Sequence, residues 1–407
     1  MKVQLAGEFR ADEQSAPDVS IVMPCLNEAG CLEQCISNAA EALSLIALRY
    51  GLSGEIVVAD NGSTDGSQAI ATDHGARVVD VARRGYGAAL IGGGRGARGR
   101  YIVFGDADGS YDFRESVAMI GALEDGADLC MGSRFRGGIA KGAMPWKNRY
   151  IGNPLLTGLL NVLFGAGVSD AHCGLRAVTR ETFNGLRLSG AGMEFASEMV
   201  IKAALQKRTI REVPATLSVD LRDRAPHLRP WRDGWRHLRY LFMLSPTSVF
   251  VVPALTGLLF AMLIFAAALT QAAFPELPQR FGDYWIVAAS AMAALGHQTL
   301  ILALAAHLYG VREGYRLRGP RAAALTGLIS LETMLISGAA LAVAGLGVLA
   351  ATALSWSARD FGPADSALPA VGGTLLLMLG AQNIFGGFLL SVIAGNEARF
   401  LGEEAVA

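Results

Sequence analysis

The chain has 407 residues, of which 52% are hydrophobic and 17% are charged, and its formal net charge at pH 7 is −1. A mean hydropathy of +0.36 is too high for an ordinary soluble enzyme of this length, and the near-zero charge gives no reason to expect a nucleic-acid partner. The five cysteines form no C-x-x-C pair, which argues against a disulfide framework and a zinc site and predicts reduced cytosolic thiols.

Short β-rich runs alternate with helical patterns through the first half of the chain. Residues 19–23 form such a run, closed by Pro24, and residues 29–50 follow with apolar residues at helical spacing. The further β-rich runs are 55–59, 77–81 and 101–105. Strands that alternate with helices predict a parallel sheet wrapped by helices.

Two acidic residues follow the last of these runs. Asp106 and Asp108 stand two positions apart, directly after the apolar residues 101–105. Ligands bind at the carboxyl edge of open α/β sheets. Two carboxylates at one strand end can converge on a single hard cation such as Mg²⁺ or Mn²⁺, with substrate phosphates completing its shell. The pattern therefore predicts a divalent-metal site.

Polar residues also follow the first and second runs. Asn27 and Glu28 come after the first, and Ser63 and Asp65 come after the second. One interpretation makes Asn27 and Ser63 helix N-caps, with the two acids favouring the helix dipoles; the other makes these residues ligand contacts. Asp60 directly follows the second run, has no local capping duty, and could accept hydrogen bonds from a nucleobase.

The second half of the chain is predicted to be membrane-embedded. Residues 229–244 interleave tryptophans with arginines, which predicts an amphipathic helix in a membrane interface. Four apolar stretches follow, each near the ~20 residues needed to span a bilayer. They are 247–270, 284–309, 323–354 and 367–394. We interpret the polar residues near their middles as interhelical hydrogen-bonding groups in preference to a functional site; these are His297, Gln298, Glu332, Gln382 and Asn383.

The arginines between the spans predict the orientation. The connection 311–321 contains four arginines, whereas the connections before and after it contain one each. The positive-inside rule places the arginine-rich loop in the cytoplasm, and the first eighteen residues show no apolar leader pattern. We therefore expect a multi-pass protein of the cytoplasmic (inner) membrane, with its soluble domain and both termini in the cytoplasm.

Several motifs of the soluble half together resemble one enzyme family. They are residues 24–28, 60–66, 85–89, 106–108, 132–135, 142–146, 170–176, 192–199 and 226–236. In this order they resemble the family 2 glycosyltransferases with a GT-A fold. Within that family the chain looks like the polyprenyl-phosphate sugar transferases related to dolichol-phosphate mannose synthase, and most like a bacterial branch labelled dolichol-phosphate-glucose synthetase-like. The resemblance covers about residues 18–245.

The resemblance implies the fold of the first half of the chain, and the apolar stretches described above imply that of the second. The fold is α/β, a GT-A (Rossmann-like) catalytic domain with a mostly parallel sheet, followed by an α-helical transmembrane domain of four spans. The expected parts are a flexible N-terminus (1–17), the catalytic domain (18–228), the interfacial helix (229–244), the transmembrane domain (245–396) and a cytoplasmic tail (397–407).

The resemblance also implies roles for individual residues. A UDP- or GDP-linked sugar donor would contact Pro24, Asn27, Glu28, Asp60, Ser63, Asp65, Gly87, Asp106, Ala107 and Asp108. Mg²⁺ or Mn²⁺ would be held by Asp106, Asp108 and Ser110; relatives often have a glutamine at the last position, and Asp112 is a second candidate for its role. The acceptor phosphate would face Arg134, Arg149 and Arg176. The catalytic set would be Asp106, Asp108, Arg134, Asp170 and Arg176, and Glu198 would pair with such an arginine or bind the sugar.

These roles predict inverting transfer of a single sugar from a nucleotide-diphosphate donor to a polyprenyl (undecaprenyl or dolichyl) phosphate at the cytoplasmic membrane face. A lipid phosphate is already anionic at pH 7, so its positioning by basic residues matters more than a general base. Two alternatives stay open. One is a processive polysaccharide synthase, although its Q-x-x-R-W motif is not in the sequence; the other is a lipid-linked-sugar flippase or scaffold fused to an inactive transferase. The lipid bilayer is an expected partner, and homo-oligomerisation is left open.

Overall fold

The computed structural model of the chain describes residues 16–222, 230–276, 281–317, 329–363 and 366–396, together with 398 and 400. The chain divides into two compact units, Met1–Leu241 and Phe242–Ala407. The expected flexible N-terminus up to residue 15, the arginine-rich connection beyond residue 317 and most of the expected tail lie outside the described residues.

The first unit alternates strands and helices, as predicted. Its strands are β1 (Val19–Cys25), β2 (Gly54–Asp60), β3 (Arg77–Asp80), β4 (Tyr101–Phe104), β5 (Leu129–Ser133), β6 (Gly138–Ile139), β7 (Arg176–Thr179) and β8 (Ile210–Leu217). Its helices are α1 (Ala29–Tyr50), α2 (Ser67–Asp73), α3 (Tyr86–Gly96), α4 (Ser116–Glu124), α5 (Arg134–Gly137), α6 (Asn153–Phe164), α7 (Arg180–Gly185), α8 (Phe195–Leu205) and α9 (Pro230–Met243). Short turns of 3₁₀ and π geometry cover Phe113–Glu115 and Asn148–Gly152.

The spacing of apolar residues explains why α1 forms where it does. Leu32, Ile36, Ala39 and Ile46 lie three, four or seven residues apart and are all buried, so one face of the helix packs on the sheet. Gly51 ends the helix with a φ of +70°, a left-handed conformation that glycine adopts without steric cost.

The eight strands form one sheet in the order β3-β2-β1-β4-β7-β5-β8-β6. β1 pairs in parallel with β2 on one side and β4 on the other, and β7 is inserted antiparallel between β4 and β5. The predicted mostly parallel sheet is therefore confirmed. Because the strand order reverses at β1, a crevice for ligands is expected outside the carboxyl ends of β1 and β4.

Pro24 does not close the first strand, contrary to the sequence prediction. β1 continues through Pro24 to Cys25, paired with β2. Its pairing with β4 ends at Val22, so the missing N–H of Pro24 removes no hydrogen bond on that side of the strand. The third and fourth predicted runs each end one residue early, at Asp80 and Phe104.

The second unit contains long apolar helices. Among the described residues, four are long and apolar enough to cross a membrane: Ser248–Ala273, Asp283–Arg312, Leu331–Ser357 and Leu368–Ile393. We name them α10 (with helical geometry from Val252 to Ala273), α11, α12 and α13. α12 and α13 approach closely at Gly338 and Gly380, where a Cβ on Gly380 would lie 2.5 Å from the Gly338 carbonyl oxygen. Small residues allow such close packing of helices in a bilayer.

Three polar side chains predicted to lie near the middles of the spans bond to a neighbouring helix. His297 Nδ1 on α11 lies 2.8 Å from Gln382 Oε1 on α13, and Asn383 Nδ2 donates to Ser337 Oγ on α12 at 3.2 Å. The predicted interhelical hydrogen bonding is thus confirmed for these residues. The expectation that Glu332 lies near the middle of a span is wrong, because α12 begins at Leu331 and Glu332 falls in its first turn.

Candidate active site

A cavity of 610 Å³ opens at the carboxyl ends of β1 and β4. The strand-end loops, α3, the loop after β8 and α9 supply much of its polar lining, and residues 143–156 supply part of its apolar lining. The polar and charged lining residues include Glu28, Asn61, Arg84, Tyr86, Asp106, Asp108, Ser110, Asn148, Arg134, His172, Arg222 and His237. We call the part of the cavity around Asp106, Asp108 and Ser110 the acidic region. The part around Arg134, with the apolar side chains of residues 143–156, is the basic region.

Asp106 and Asp108 both line this cavity, as the position of the motif predicts. Tyr86 donates its hydroxyl proton to Asp106 Oδ1 at 2.8 Å. Burial, and next the negative charge of Asp108, raise the pKa of Asp106 to about 6. Ser110 donates to Asp108 Oδ1 from its backbone N at 3.0 Å and from its Oγ at 2.6 Å. A cation bound by both Asp106 and Asp108 would offset the repulsion between their negative charges.

Arg222 is a charged group at this site that the sequence analysis missed. Its Nη2 lies 3.3 Å from Asp108 Oδ2 and its Nε donates to Glu28 Oε2 at 3.0 Å. Only its place in the loop that follows β8 could have signalled this role, because both acidic partners lie far away in the sequence. The positive guanidinium of Arg222 therefore offsets part of the negative charge of Asp108 and Glu28.

The acidic region suits a divalent metal only in part. Asp106, Asp108 and Ser110 offer hard oxygen ligands of the kind that Mg²⁺ and Mn²⁺ prefer. Across the described ranges, no three His, Cys, Asp or Glu side chains come together as a metal site. A cation here would therefore take further ligands from substrate oxygens or water, which is the usual arrangement for Mg²⁺ bound with phosphates.

The side chains after β1 and β2 hold the two strand-end loops together. Ser63 Oγ accepts from the Asn27 N–H at 2.9 Å, and Asn27 Oδ1 accepts from the Thr64 N–H at 2.8 Å. The N-cap positions of α1 and α2 are occupied by Glu28 and Gly66. The interpretation of Asn27 and Ser63 as N-caps is therefore wrong; their side chains bond across the loops instead.

Asp60 and Asp65 also make hydrogen bonds within these loops. Asp60 accepts from the Gly62 N–H at 3.0 Å and from Gln68 Nε2 at 2.7 Å. Asp60 caps neither helix, in agreement with the sequence analysis, but its carboxylate braces its own loop; its proposed contact with the base stays a prediction. Asp65 accepts from the Ala29 N–H at 3.0 Å, so it satisfies the first amide of α1. Of the predicted donor residues, those that line the cavity are Pro24, Glu28, Asp106 and Asp108.

Arg134 and Asp170 form a buried ion pair at the cavity wall. Arg134 Nε lies 2.7 Å from Asp170 Oδ2, and Nη2 lies 2.8 Å from Oδ1. The side chain of Asp170 is 0% exposed and that of Arg134 is 9% exposed. This fork-shaped pairing fixes the guanidinium plane, and Arg134 lines the cavity.

The other two arginines predicted at the acceptor phosphate lie elsewhere in the unit. Arg176 is buried and donates to the carbonyl oxygens of Cys173 and Ala196. Arg149 lies in the Asn148–Gly152 turn, with its guanidinium beside the Tyr150 ring. Neither residue is part of the described cavity lining. Their contact with a phosphate stays a prediction.

Glu198 has a cationic partner, but it is a lysine. Lys202 Nζ lies 2.7 Å from Glu198 Oε1, one turn further along α8. The same carboxylate accepts from the Gly190 N–H at 2.7 Å. The expectation that Glu198 pairs with an arginine is therefore wrong. Its carboxylate instead holds the preceding loop against α8. Sequence analysis also missed two histidines that line the cavity, His172 and His237, and the buried Ser197, which hydrogen-bonds to both.

Known proteins share the sequence of both units. Residues 20–187 match the family described as Glycosyl transferase family 2, and residues 304–394 match the Glycosyltransferase family 2 C-terminal transmembrane region. The Low-salt glycan biosynthesis hexosyltransferase Agl6 of Haloferax volcanii is 35% identical over 93% of this chain and 90% of its own length. The chain belongs to glycosyltransferase family 2. It is therefore a membrane-embedded transferase with a GT-A-type catalytic unit.

Two further proteins resemble the catalytic unit of this transferase. The Dolichyl-phosphate hexose transferase of Haloferax volcanii is 31% identical, over 54% of this chain and 91% of its own length. A crystal structure of glucosyl-3-phosphoglycerate synthase from Mycobacterium tuberculosis, in complex with Mn²⁺, UDP and glucosyl-3-phosphoglycerate, is 25% identical at a TM-score of 0.42. It covers 57% of this chain and 80% of its own.

The hydroxyl of Tyr86 gives a testable pH effect. Its hydrogen bond favours the charged form of Asp106 and so lowers the pKa of that carboxyl, against the larger effects of burial and Asp108. Tyr86→Phe should raise the pKa of Asp106 above its value of about 6, because the charged form loses this bond. The acid limb of kcat/KM for the sugar donor should move to higher pH, measured as a pH–rate profile. The control Tyr150→Phe, at an exposed ring, should leave the acid limb of the pH–rate profile unchanged. If Tyr86→Phe also leaves it unchanged, the acid limb does not report the titration of Asp106.

Proposed function

We propose that this transferase moves a single hexose from a nucleotide-diphosphate donor, UDP- or GDP-linked, to a polyprenyl phosphate at the cytoplasmic membrane face, with inversion at the anomeric carbon. One observation carries the proposal: the acidic pair Asp106–Asp108 lines the same cavity as Arg134, whose guanidinium is held by the buried Asp170. The names of the relatives, a hexosyltransferase and a dolichyl-phosphate hexose transferase, support this substrate class.

The acidic region would hold the donor diphosphate. Asp106, Asp108 and Ser110 would bind Mg²⁺ or Mn²⁺, which would neutralise the charge of the leaving nucleoside diphosphate. Arg222 would turn from Asp108 toward the phosphates, since a guanidinium pairs with phosphate as it does with carboxylate. Glu28, its other partner, would keep the arginine at the rim of the cavity.

The basic region would hold the acceptor. Arg134 is fixed by Asp170, so its guanidinium is oriented before the substrate arrives and loses little freedom on binding an anion. Met144, Pro145 and Leu156 add an apolar wall to the same cavity, which would suit the first isoprene units of a lipid chain. Attack by a phosphate oxygen on the face of the sugar opposite the leaving group would invert the anomeric carbon.

The experiment that tests the proposal uses the purified full-length protein. Undecaprenyl phosphate and a soluble oligosaccharide would each be incubated with a panel of UDP- and GDP-sugars, and products would be resolved by mass spectrometry. One hexose added to the lipid phosphate is expected. Repeated addition to the oligosaccharide would favour the processive synthase, and no transfer from any donor would favour the flippase or scaffold alternative.

Cysteine labelling would test the orientation. Single cysteines at Glu276 and Asp360, in the connections after α10 and α12, should react with a membrane-impermeant reagent applied to intact cells, because these connections would face outward. A cysteine at Glu313, directly after α11, should react only after the cells are broken. The five native cysteines are buried, so they provide a low background. Labelling at Glu313 in intact cells would contradict the arrangement.

A further inference from the structure

The segment after β8, residues 218–222, forms one edge of the cavity. Alternate residues of this segment line the cavity, Ser218, Asp220 and Arg222, whereas the two residues between them are not part of the described lining. Successive side chains of an extended chain point to opposite sides, which accounts for the alternation. One of the three, Arg222, is the arginine that the proposed function assigns to the donor phosphates.

The chain from the end of β8 onward runs from the basic region to the acidic region. Pro214, on β8, is the register partner of Ser133, the residue before Arg134. Further along, the Leu221 N–H donates to the carbonyl oxygen of Asp108 at 2.9 Å. During transfer the anomeric carbon must stand between the leaving diphosphate and the attacking phosphate. This part of the chain therefore borders the space in which the sugar would lie.

Asp220 differs from the other carboxylates of the cavity wall. It is half-buried, and within the described part of the chain it makes no hydrogen bond and no ion pair. Each of the other three bonds to a tyrosine or arginine side chain; they are Glu28, Asp106 and Asp108. An ionised carboxylate only accepts hydrogen bonds. Asp220 thus presents acceptor atoms to the cavity that no described residue fills.

The negative charge of Asp220 decides which part of the proposed substrates it can bind. A carboxylate repels the donor diphosphate and the acceptor phosphate, and it gains nothing from an isoprene chain. Sugar hydroxyls donate hydrogen bonds to it; the nucleobase also donates, but the diphosphate separates the base from the reacting carbon. The Cα atoms of Asp220 and Arg222 are at most about 7 Å apart. A hexose linked to a diphosphate at Arg222 would therefore come within reach of the Asp220 carboxylate.

We propose that Asp220 binds one or two hydroxyl groups of the transferred hexose and so contributes to the choice of sugar. The proposal rests on the proposed function. A site built to hydrogen-bond a hydroxyl rejects an analogue that lacks it, because the polar group of the protein is then left unpaired. A hydrogen bond to a carboxylate is charge-assisted, so its loss should lower kcat/KM for the donor about ten- to hundredfold.

A cycle of protein and donor changes tests this contact on the full-length protein. The donors are the nucleotide-hexose on which the native protein is most active and its deoxy analogues, each lacking one hydroxyl. With the parent donor, Asp220→Ala should lower kcat/KM about ten- to hundredfold. With the analogue that lacks the bound hydroxyl, the same substitution should cost less than about threefold, because the contact is already missing. The intrinsic reactivity of each analogue cancels, since both proteins use the same donor.

Two measurements separate sugar binding from other roles of the carboxylate. Asp125→Ala removes an aspartate whose side chain is 76% exposed, and it should change kcat/KM by less than about twofold for every donor. Asp220→Ala should leave the Mg²⁺ concentration for half-maximal rate within about twofold of native. Asp220→Asn keeps the size of the side chain and replaces Asp220→Ala if that variant does not fold.

The outcomes distinguish the sugar contact from the function on which it rests. A loss that shrinks with one or two deoxy analogues and not with the others would support the contact and name the hydroxyl. Equal losses with the parent donor and every analogue, or a strongly raised Mg²⁺ requirement, would overturn the contact while transfer to the lipid phosphate by the native protein still stands. A native protein that transfers no hexose to the lipid phosphate from any donor would overturn the proposed function itself.

Discussion

Replacing Asp108 with asparagine should lower the turnover of the transferase about a thousandfold or more while the protein stays folded. A metal that neutralises a leaving diphosphate contributes several kcal/mol to the transition state, and about 4 kcal/mol corresponds to a thousandfold in rate. Asparagine keeps an oxygen that can accept from Ser110 Oγ, which lies 2.6 Å from the carboxylate. The free energy of unfolding should therefore change little, and the substitution should act by weakening the binding of the metal and the donor.

A neighbouring carboxylate provides the control for Asp108. Asp112 is bonded to Arg114 and Asn38 and is not part of the described cavity lining. The turnover of Asp112→Asn should stay within about threefold of native. Its activation free energy should therefore change by less than the ~1.4 kcal/mol of a tenfold rate change. A chelator should abolish native turnover and Mg²⁺ or Mn²⁺ should restore it, with circular dichroism confirming the fold throughout. Full activity of Asp108→Asn, or of chelator-treated native enzyme, would contradict the metal assignment.

Arg134→Ala should damage both the fold and the reaction. The substitution leaves Asp170, whose side chain is 0% exposed, as a buried charge without its partner, which costs about 3 to 5 kcal/mol of unfolding free energy. Under the proposed function it would also remove a charge-assisted hydrogen bond to the acceptor phosphate of about 1.5 to 3 kcal/mol, or roughly a ten- to hundredfold loss in kcat/KM. Thermal unfolding and lipid-phosphate transfer would measure the two effects separately.

The double variant Arg134→Ala/Asp170→Ala separates stability from catalysis. Removal of both charges abolishes the unpaired carboxylate, so most of the thermal stability should return. Transfer to lipid phosphate should stay low, because the guanidinium proposed to bind the acceptor phosphate is still missing. Arg136→Ala is the matched control, since Arg136 lies on the same short helix with a 55% exposed side chain. Recovery of full transfer in the double variant would show that Arg134 acts only through the fold.

The strongest sequence predictions concern features that depend on short stretches of chain. The alternation of β-rich runs with helices and the lengths of the four apolar spans can both be recognised from consecutive residues. Both predictions agree with the structure. Asp106 and Asp108 could be placed at the cavity because they directly follow a buried strand, and the carboxyl edge of a parallel sheet is a known place for ligands. Element ends were less certain, as Pro24 shows, because pairing with neighbouring strands decides where a strand stops.

The sequence by itself thus determined the class of fold, the membrane half and the acidic pair. Only the tertiary structure decided which side chains meet: Arg222 with Asp108, Arg134 with Asp170, and Ser197 with two histidines. It also decided that Arg176 donates to backbone carbonyls inside the unit. The physical reason is that periodicity reports which face of an element is buried, whereas a contact between distant residues depends on how several elements pack and on the direction in which each side chain leaves the backbone.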